Sequence, residues 1–275
     1  MTDNYSDNKY LIQDSGFQYD LINPKKKYLL DDDLQEISGL SFFAKDLLGC
    51  IQDEDGKIFL YNKKSEQIEK VIKFGKDGDY EGIEIVGDTV YILKSNGNVY
   101  CFYLKNGDAE DLKKIETHLT SSNDTEGLCY EESKNRLLIV CKSKNDSKKF
   151  ETDDHAIYQI TLNDLDFKKD PAYTFSKEYL KSKIKESGLE SKKHLPFKPS
   201  GIAIHPISKN IYIISSVSKL LVILNKQGKI ESVAPLKRKV FTQPEGICFD
   251  KKGNLFISSE GRGGSGYILE YDLRK

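Results

Sequence analysis

Apolar runs of four to seven residues alternate along this chain with polar turns built from Gly, Asn, Asp, Ser and Lys. One set of runs reads LLGCIQ, TVYILK, RLLIVCK, IYIISS and LFISS. A second reads KIFLYN, NVYCFYL, AIYQITL, KLLVILN and YILEYDL. Their content of Val, Ile, Leu, Tyr and Phe predicts β-strands. Several are apolar at consecutive positions, which suits a sheet covered on both faces. Ahead of each pair stands a run led by a glycine: ISGLSF, YEGIEI, TEGLCY, PSGIAI and PEGICF. The glycines fall at 39, 82, 127, 201 and 246, so successive intervals are 43, 45, 74 and 45 residues. A period near 45 is that of a four-stranded propeller blade. The long interval holds one such unit and an insertion of about 30 residues, on the same period.

The pattern therefore predicts an all-β, five-bladed β-propeller over residues 19–275. A sixth, irregular blade hidden in the insertion is the alternative. The last unit lacks a fourth strand, because the chain reaches YILEYDLRK after its third. YDLINPKKKYLL, near the N-terminus, belongs to no unit and is expected to supply that strand and close the ring. Residues 1–18 are mostly polar and read as a flexible tether. Cleavage of a signal or lipid-anchor segment leaves such a tether, and a cytosolic chain's frayed start looks the same. Within the insertion, FSKEYLKSKIKESGLESKKH has apolar residues at Tyr179, Leu180 and Ile184 and a helix stop at Gly188. It predicts a short charged helix near 176–195 lying on one face of the ring. An ordered surface element and a lid over a channel mouth are its two readings.

Composition narrows the classes. Lys and Arg number 42 against 43 Asp and Glu, a net charge of −1, which argues against binding to nucleic acid or anionic membranes. No apolar run is long enough for a membrane-spanning helix. One closed ring is expected to be a monomer. The cysteines, Cys50, Cys101, Cys129, Cys141 and Cys248, are odd in number, form no CxxC and lie in strand-like runs. They read as buried thiols acting as small hydrophobes, not as zinc ligands. His118, His155, His194 and His205 form no metal or catalytic pattern, and His205, in the turn HPISKN, reads as a surface histidine. GRGGSG at 261–266 joins two strands and reads as a long hairpin turn, not a phosphate loop.

The candidate chemistry lies at the five glycine heads. Inner strands of a propeller converge, and glycine permits the close approach. Ring closure would then gather the preceding residues, Ser38, Glu81, Glu126, Ser200 and Glu245, at one rim of the channel. Converging carboxylates repel and take up protons unless a cation intervenes. Calcium accepts six to eight oxygens at about 2.3–2.6 Å. Glu81, Glu126 and Glu245 are its candidate ligands, with Ser38, Ser200, Glu36 and Glu260 available to complete the shell. The competing reading is that Lys94, Lys142 and Arg262 neutralise the glutamates through salt bridges.

EISGLSF, DYEGIEI, DTEGLCY, KPSGIAIHP and QPEGICFDKKGNLFISSE resemble the SdiA-regulated (YjiK-like) family of bacterial β-propellers, in head order as well as spacing. The resemblance implies an exported protein in the periplasm or at the cell surface, many relatives being lipoprotein-like; a cytoplasmic home is the alternative. It also implies acidic residues at the ends of second strands. Glu54 and Glu260 match this and Lys94 and Lys142 depart from it. Glu54, Lys94, Lys142 and Arg262 are thus candidates to touch a ligand at the channel mouth. Two functions are in view. One is a non-enzymatic module that binds a small molecule or protein, with calcium as a candidate cofactor. The other is a calcium-dependent hydrolase of lactones or esters, with one glutamate as general base.

Overall fold

The computed structural model describes residues 17–142, 154–189 and 196–274. Its strands are β1 (Lys26–Leu29), then β2 (Ile37–Ala44), β3 (Leu47–Gln52), β4 (Lys57–Asn62) and β5 (Gln67–Lys73) of blade one. Blade two holds β6 (Tyr80–Val86), β7 (Thr89–Lys94), β8 (Val99–Lys105) and β9 (Asp108–Ile115). Blade three holds β10 (Thr125–Glu131), β11 (Arg136–Cys141), β12 (His155–Thr161) and β13 (Asp166–Phe175). Helix α1 (Lys177–Glu186) follows. Blade four holds β14 (Gly201–Ile204), β15 (Ile211–Ser215), β16 (Leu220–Leu224) and β17 (Ile230–Pro235). Blade five holds β18 (Pro244–Phe249), β19 (Leu255–Ser259) and β20 (Tyr267–Tyr271). Each sheet is a four-stranded antiparallel meander, and β1 completes the fifth by pairing with β20 from Lys26↔Glu270 to Leu29↔Tyr267. The protein is a five-bladed β-propeller. Among the described residues the insertion adds a long fourth strand and a helix, not a sixth sheet.

The cores explain why the second strands are apolar at consecutive positions. Five apolar clusters fill the five gaps between neighbouring blades. Along β11, Leu137 and Ile139 pack towards blade two, whereas Leu138 and Val140 pack towards blade four. All five cysteines are buried in strands.

The glycine heads form a circle of close contacts. A Cβ on Gly39 would lie 3.1 Å from the Ile83 nitrogen, and one on Gly82 3.1 Å from the Leu128 nitrogen. A Cβ on Gly127 would lie 2.9 Å from the Ile202 nitrogen. On Gly201 it would lie 2.3 Å from the Glu245 oxygen, and on Gly246 2.9 Å from the Leu40 nitrogen. Each glycine thus meets the inner strand of the next blade, and the last meets the first. The need is steric room, since none of the five has a positive φ.

Helix α1 is capped by Ser176, whose Oγ accepts from the Tyr179 N–H, and it buries Leu180. It packs against β17, the outermost strand of blade four, and Leu180 joins the apolar cluster between blades three and four. Residues 190–195 of the expected helical stretch, His194 among them, lie outside the described residues, as does the tether but for Phe17 and Gln18. The Gln18 carbonyl accepts from the Arg274 N–H. His205 is buried, not at the surface. Its Nδ1 accepts from the N–H groups of Ile207 and Ser208, and its ring packs against Tyr212 and Phe249. A neutral imidazole can close a tight turn from inside, and burial holds its pKa below the usual range.

Candidate functional site

All five inner strands start at the same end of the channel, and the antiparallel second strands return to it. Register brings Gln52 beside Ile37, Lys94 beside Tyr80, Cys141 beside Thr125 and Ser259 beside Pro244. At these four heads the ladder shifts register, skipping Ser38, Glu81, Glu126 and Glu245. A bulge re-aims the side chain that it leaves unpaired. Bulging is why a glutamate can open an otherwise buried strand without entering a blade core.

Lys142 is the centre of charge at this mouth. Its Nζ lies 2.6 Å from Glu126 Oε1, and the Glu126 side chain is only 3% exposed. The lysine also feels the charges of Glu245 and Asp124. Burial, with the Glu126 and Glu260 charges beside it, pushes Glu245 up to about 8, against the pull of Lys142. Burial raises Glu126 as well, the Lys142 ammonium opposing it. Glu81 is raised by burial, then by the Glu126 charge and by a hydrogen bond with Asp79, which favours a proton held between the two carboxyls.

A second acidic group flanks the first. Asp53 is raised by burial and by Glu36, Glu54 and Asp79. Glu260 is raised by burial and by Asp53 and Glu36, with a Gln243 hydrogen bond and Arg262 opposing. Arg262 Nε donates to Gln243 Oε1. The buried Asp53 Oδ1 has no hydrogen-bond partner among the described residues.

Three candidates are placed differently from the three glutamates. Lys94 turns onto the Tyr80 ring, with its Nζ 5.0 Å from the centroid. Ser38 Oγ donates to the Tyr80 carbonyl and Ser200 Oγ to the Pro244 carbonyl, each at 2.7 Å. These two hydroxyls therefore tie one blade to the next. Ser200→Ala leaves a buried carbonyl unpaired and is expected to cost about 1 to 2 kcal/mol. A lowered urea midpoint with unchanged slope checks this. Lys219 escaped the sequence reading. It is buried at the same mouth, its Nζ donates to the Thr242 carbonyl at 2.7 Å, and burial, with Arg262 and Arg238, brings it down to about 8. A lysine inside the apolar stretch SSVSKLLVIL was the available signal.

As folded, the donors do not close on a cation. The Lys142 ammonium stands against Glu126 and acts on Glu81 and Glu245. Among the described residues no three Asp, Glu, His or Cys side chains gather within reach of one metal ion.

The sequence pattern of the SdiA-regulated family matches residues 25–262. The chain belongs to the SdiA-regulated family. No curated protein matches this SdiA-regulated chain. Its fold is shared with solved structures at low identity. Glutaminyl cyclase of Myxococcus xanthus is 12% identical, with a TM-score of 0.62, over 92% of this chain and 96% of that one. A Bacteroides thetaiotaomicron protein of unknown function is 11% identical, with a TM-score of 0.57, over 90% and 72%. The PQQ-bound aldose sugar dehydrogenase of Streptomyces coelicolor is 11% identical, with a TM-score of 0.54, over 92% and 98%. At such identity the likeness concerns the fold alone. No helix among the described residues of this SdiA-regulated propeller is long and apolar enough to cross a membrane.

Proposed function

We propose that this SdiA-regulated propeller is a non-enzymatic binding module outside the cytoplasm. Its acidic mouth receives a cationic group of a small ligand or protein partner. The observation that carries this reading is the imbalance at the mouth. Glu81, Glu126 and Glu245 face two ammonium groups, Lys142 and Lys219, of which only Lys142 forms a salt bridge with them among the described residues. All three are held above their ordinary pKa by burial, Glu81 and Glu245 also by the Glu126 charge. An incoming cation would let these carboxyls ionise and release their protons. Calcium is the simplest such cation, and to bind it must displace Lys142 from Glu126. The extracytoplasmic setting rests on the family resemblance, and cell fractionation checks it.

Titration calorimetry with calcium chloride and, separately, spermidine tests the binding. Running each in two buffers of different ionisation enthalpy counts the protons. The expected result is binding of at least one probe with proton release, weakened about tenfold in Glu245→Gln, a loss of about 1.4 kcal/mol. No heat with either probe at millimolar concentration would end the reading. Chelator-sensitive hydrolysis of lactones or aryl esters, lost in Glu126→Gln, would replace the module with the hydrolase.

A further inference from the structure

The opposite end of the channel holds a cavity of about 580 Å³. Every inner strand contributes one wall residue three positions beyond its glycine: Phe42, Ile85, Tyr130, Ile204 and Phe249. One step deeper, two positions beyond the glycines, come Ser41, Glu84, Cys129, Ala203 and Cys248. Four of these are small, and the fifth is a carboxylic acid that lines the cavity. The Glu84 charge acts on the thiols of both Cys129 on β10 and Cys248 on β18. Both thiols are held far above their ordinary pKa and stay neutral. The N–H groups of Tyr130 and Ile85 face the Glu84 carboxyl, and among the described residues no lysine or arginine acts on it.

The rim differs from the floor. Lys134 is engaged by Glu131 and Lys209 by Glu132, each at 3.2 Å. Lys226 and Lys251 also border the cavity, and neither forms a salt bridge among the described residues. The layout is thus an acid at depth, an apolar and aromatic wall, and two unengaged ammonium groups at the opening.

We infer that this cavity is a second ligand site, independent of the acidic mouth, for a small zwitterion with an apolar body. Its ammonium pairs with Glu84, its body lies against Phe42, Tyr130 and Phe249, and its anionic end meets Lys226 and Lys251. Glu84 is half-buried at the cavity floor. A carboxyl there with no countercharge is costly to ionise, and an ammonium is the partner that it lacks. Aromatic walls add attraction for the same cation. The volume falls in the range of about 300–1,000 Å³ usual for small-molecule pockets, enough for a dipeptide. Burial also holds Glu84 up to about 8, so binding an ammonium must drive off its proton.

Calorimetric titration of the full chain with the dipeptide phenylalanyl-leucine tests the site. Two analogues separate its ends: the N-acetylated dipeptide, which lacks the ammonium, and 2-phenylethylamine, which lacks the carboxylate. The dipeptide is expected to bind at least tenfold more tightly than its acetylated form. Glu84→Gln, close in shape to the protonated acid, is expected to weaken it at least tenfold while leaving the melting temperature near that of the parent. The double variant Lys226→Ala, Lys251→Ala is expected to weaken the dipeptide but not the amine. Glu245→Gln, at the other mouth, is expected to change neither. Affinity should rise about tenfold from pH 6 to 7.5, as Glu84 gives up its proton. Absence of dipeptide binding at millimolar concentration, indifference to Glu84→Gln, or affinity that falls over that pH interval would each overturn the assignment.

Discussion

Gly201→Ala is expected to destabilise the propeller by about 3 kcal/mol, the upper end of the usual cost of overpacking a core. The added methyl would sit 2.3 Å from the Glu245 carbonyl oxygen and 3.2 Å from Ile214 Cγ1. The obstructing strand cannot easily retreat. Ser200 holds the Pro244 carbonyl, and Gly246 in the same strand already abuts Leu40 of blade one. A shift at one blade interface is therefore passed to the next. Gly82→Ala meets its nearest atom, Leu128 Cβ, at 3.0 Å and is expected to cost about 1 kcal/mol. Gly264→Ala, with its one neighbour within 4 Å at 3.5 Å, should be close to neutral. Urea midpoints of the three variants check the order. Equal losses at positions 201 and 264 would mean that the glycines are not there for close approach.

Lys142→Met should cost about 3 kcal/mol at pH 8, in line with leaving one partner of a buried ion pair alone. Methionine keeps much of the lysine stem and removes the charge. Glu126 is then left without the ammonium that lies 2.6 Å away, and Glu245 and Glu81 lose the field that opposes their burial. The loss has a definite sign with pH. An acid raised in the folded state, as Glu245 is from 4.5 to about 8, binds its proton more tightly folded than unfolded. Its contribution is fully present below the unfolded value and is lost as pH rises towards the folded one. The parent protein should thus weaken between pH 5 and 8 through these acids, and Lys142→Met should weaken more steeply. Urea midpoints at pH 5, 6.5 and 8 measure both slopes. A penalty that stays the same at all three would show that Lys142 acts through packing and not charge.

Much of the architecture was legible because closure of a propeller imposes a repeated local demand. Each blade needs one residue without a side chain where inner strands meet, and Gly39, Gly82, Gly127, Gly201 and Gly246 report it at the blade period. The outer strand of blade five was legible by default, since Lys26–Leu29 had no unit of its own and β20 lacked a partner. The mouth was only half legible. Spacing gathers the three glutamates, but whether a lysine reaches them or a ring depends on a one-residue difference in register. Lys94 pairs with Tyr80 and turns onto its ring, whereas Lys142 lies one residue beyond Cys141, which pairs with Thr125, and reaches Glu126. Glu84 stayed hidden for another reason. In YEGIEI it reads as the polar half of an alternating strand. Only alignment of all five heads shows that its counterparts are Ser, Cys, Ala and Cys. His205 was misjudged because a turn sequence says nothing of a turn folded inward over Tyr212 and Phe249.

Tyr28 and Glu270 share a hydrogen bond across 242 positions of chain. During translation, the strand that must pair with Lys26–Leu29 leaves the ribosome only after the other four blades. Four blades can assemble while the fifth still waits. Contacts of such range are slow to form, so completion of the circle is the natural late step of folding. Until then the nascent molecule is an open crescent with two bare sheet margins, the form in which it most needs shielding from its own copies.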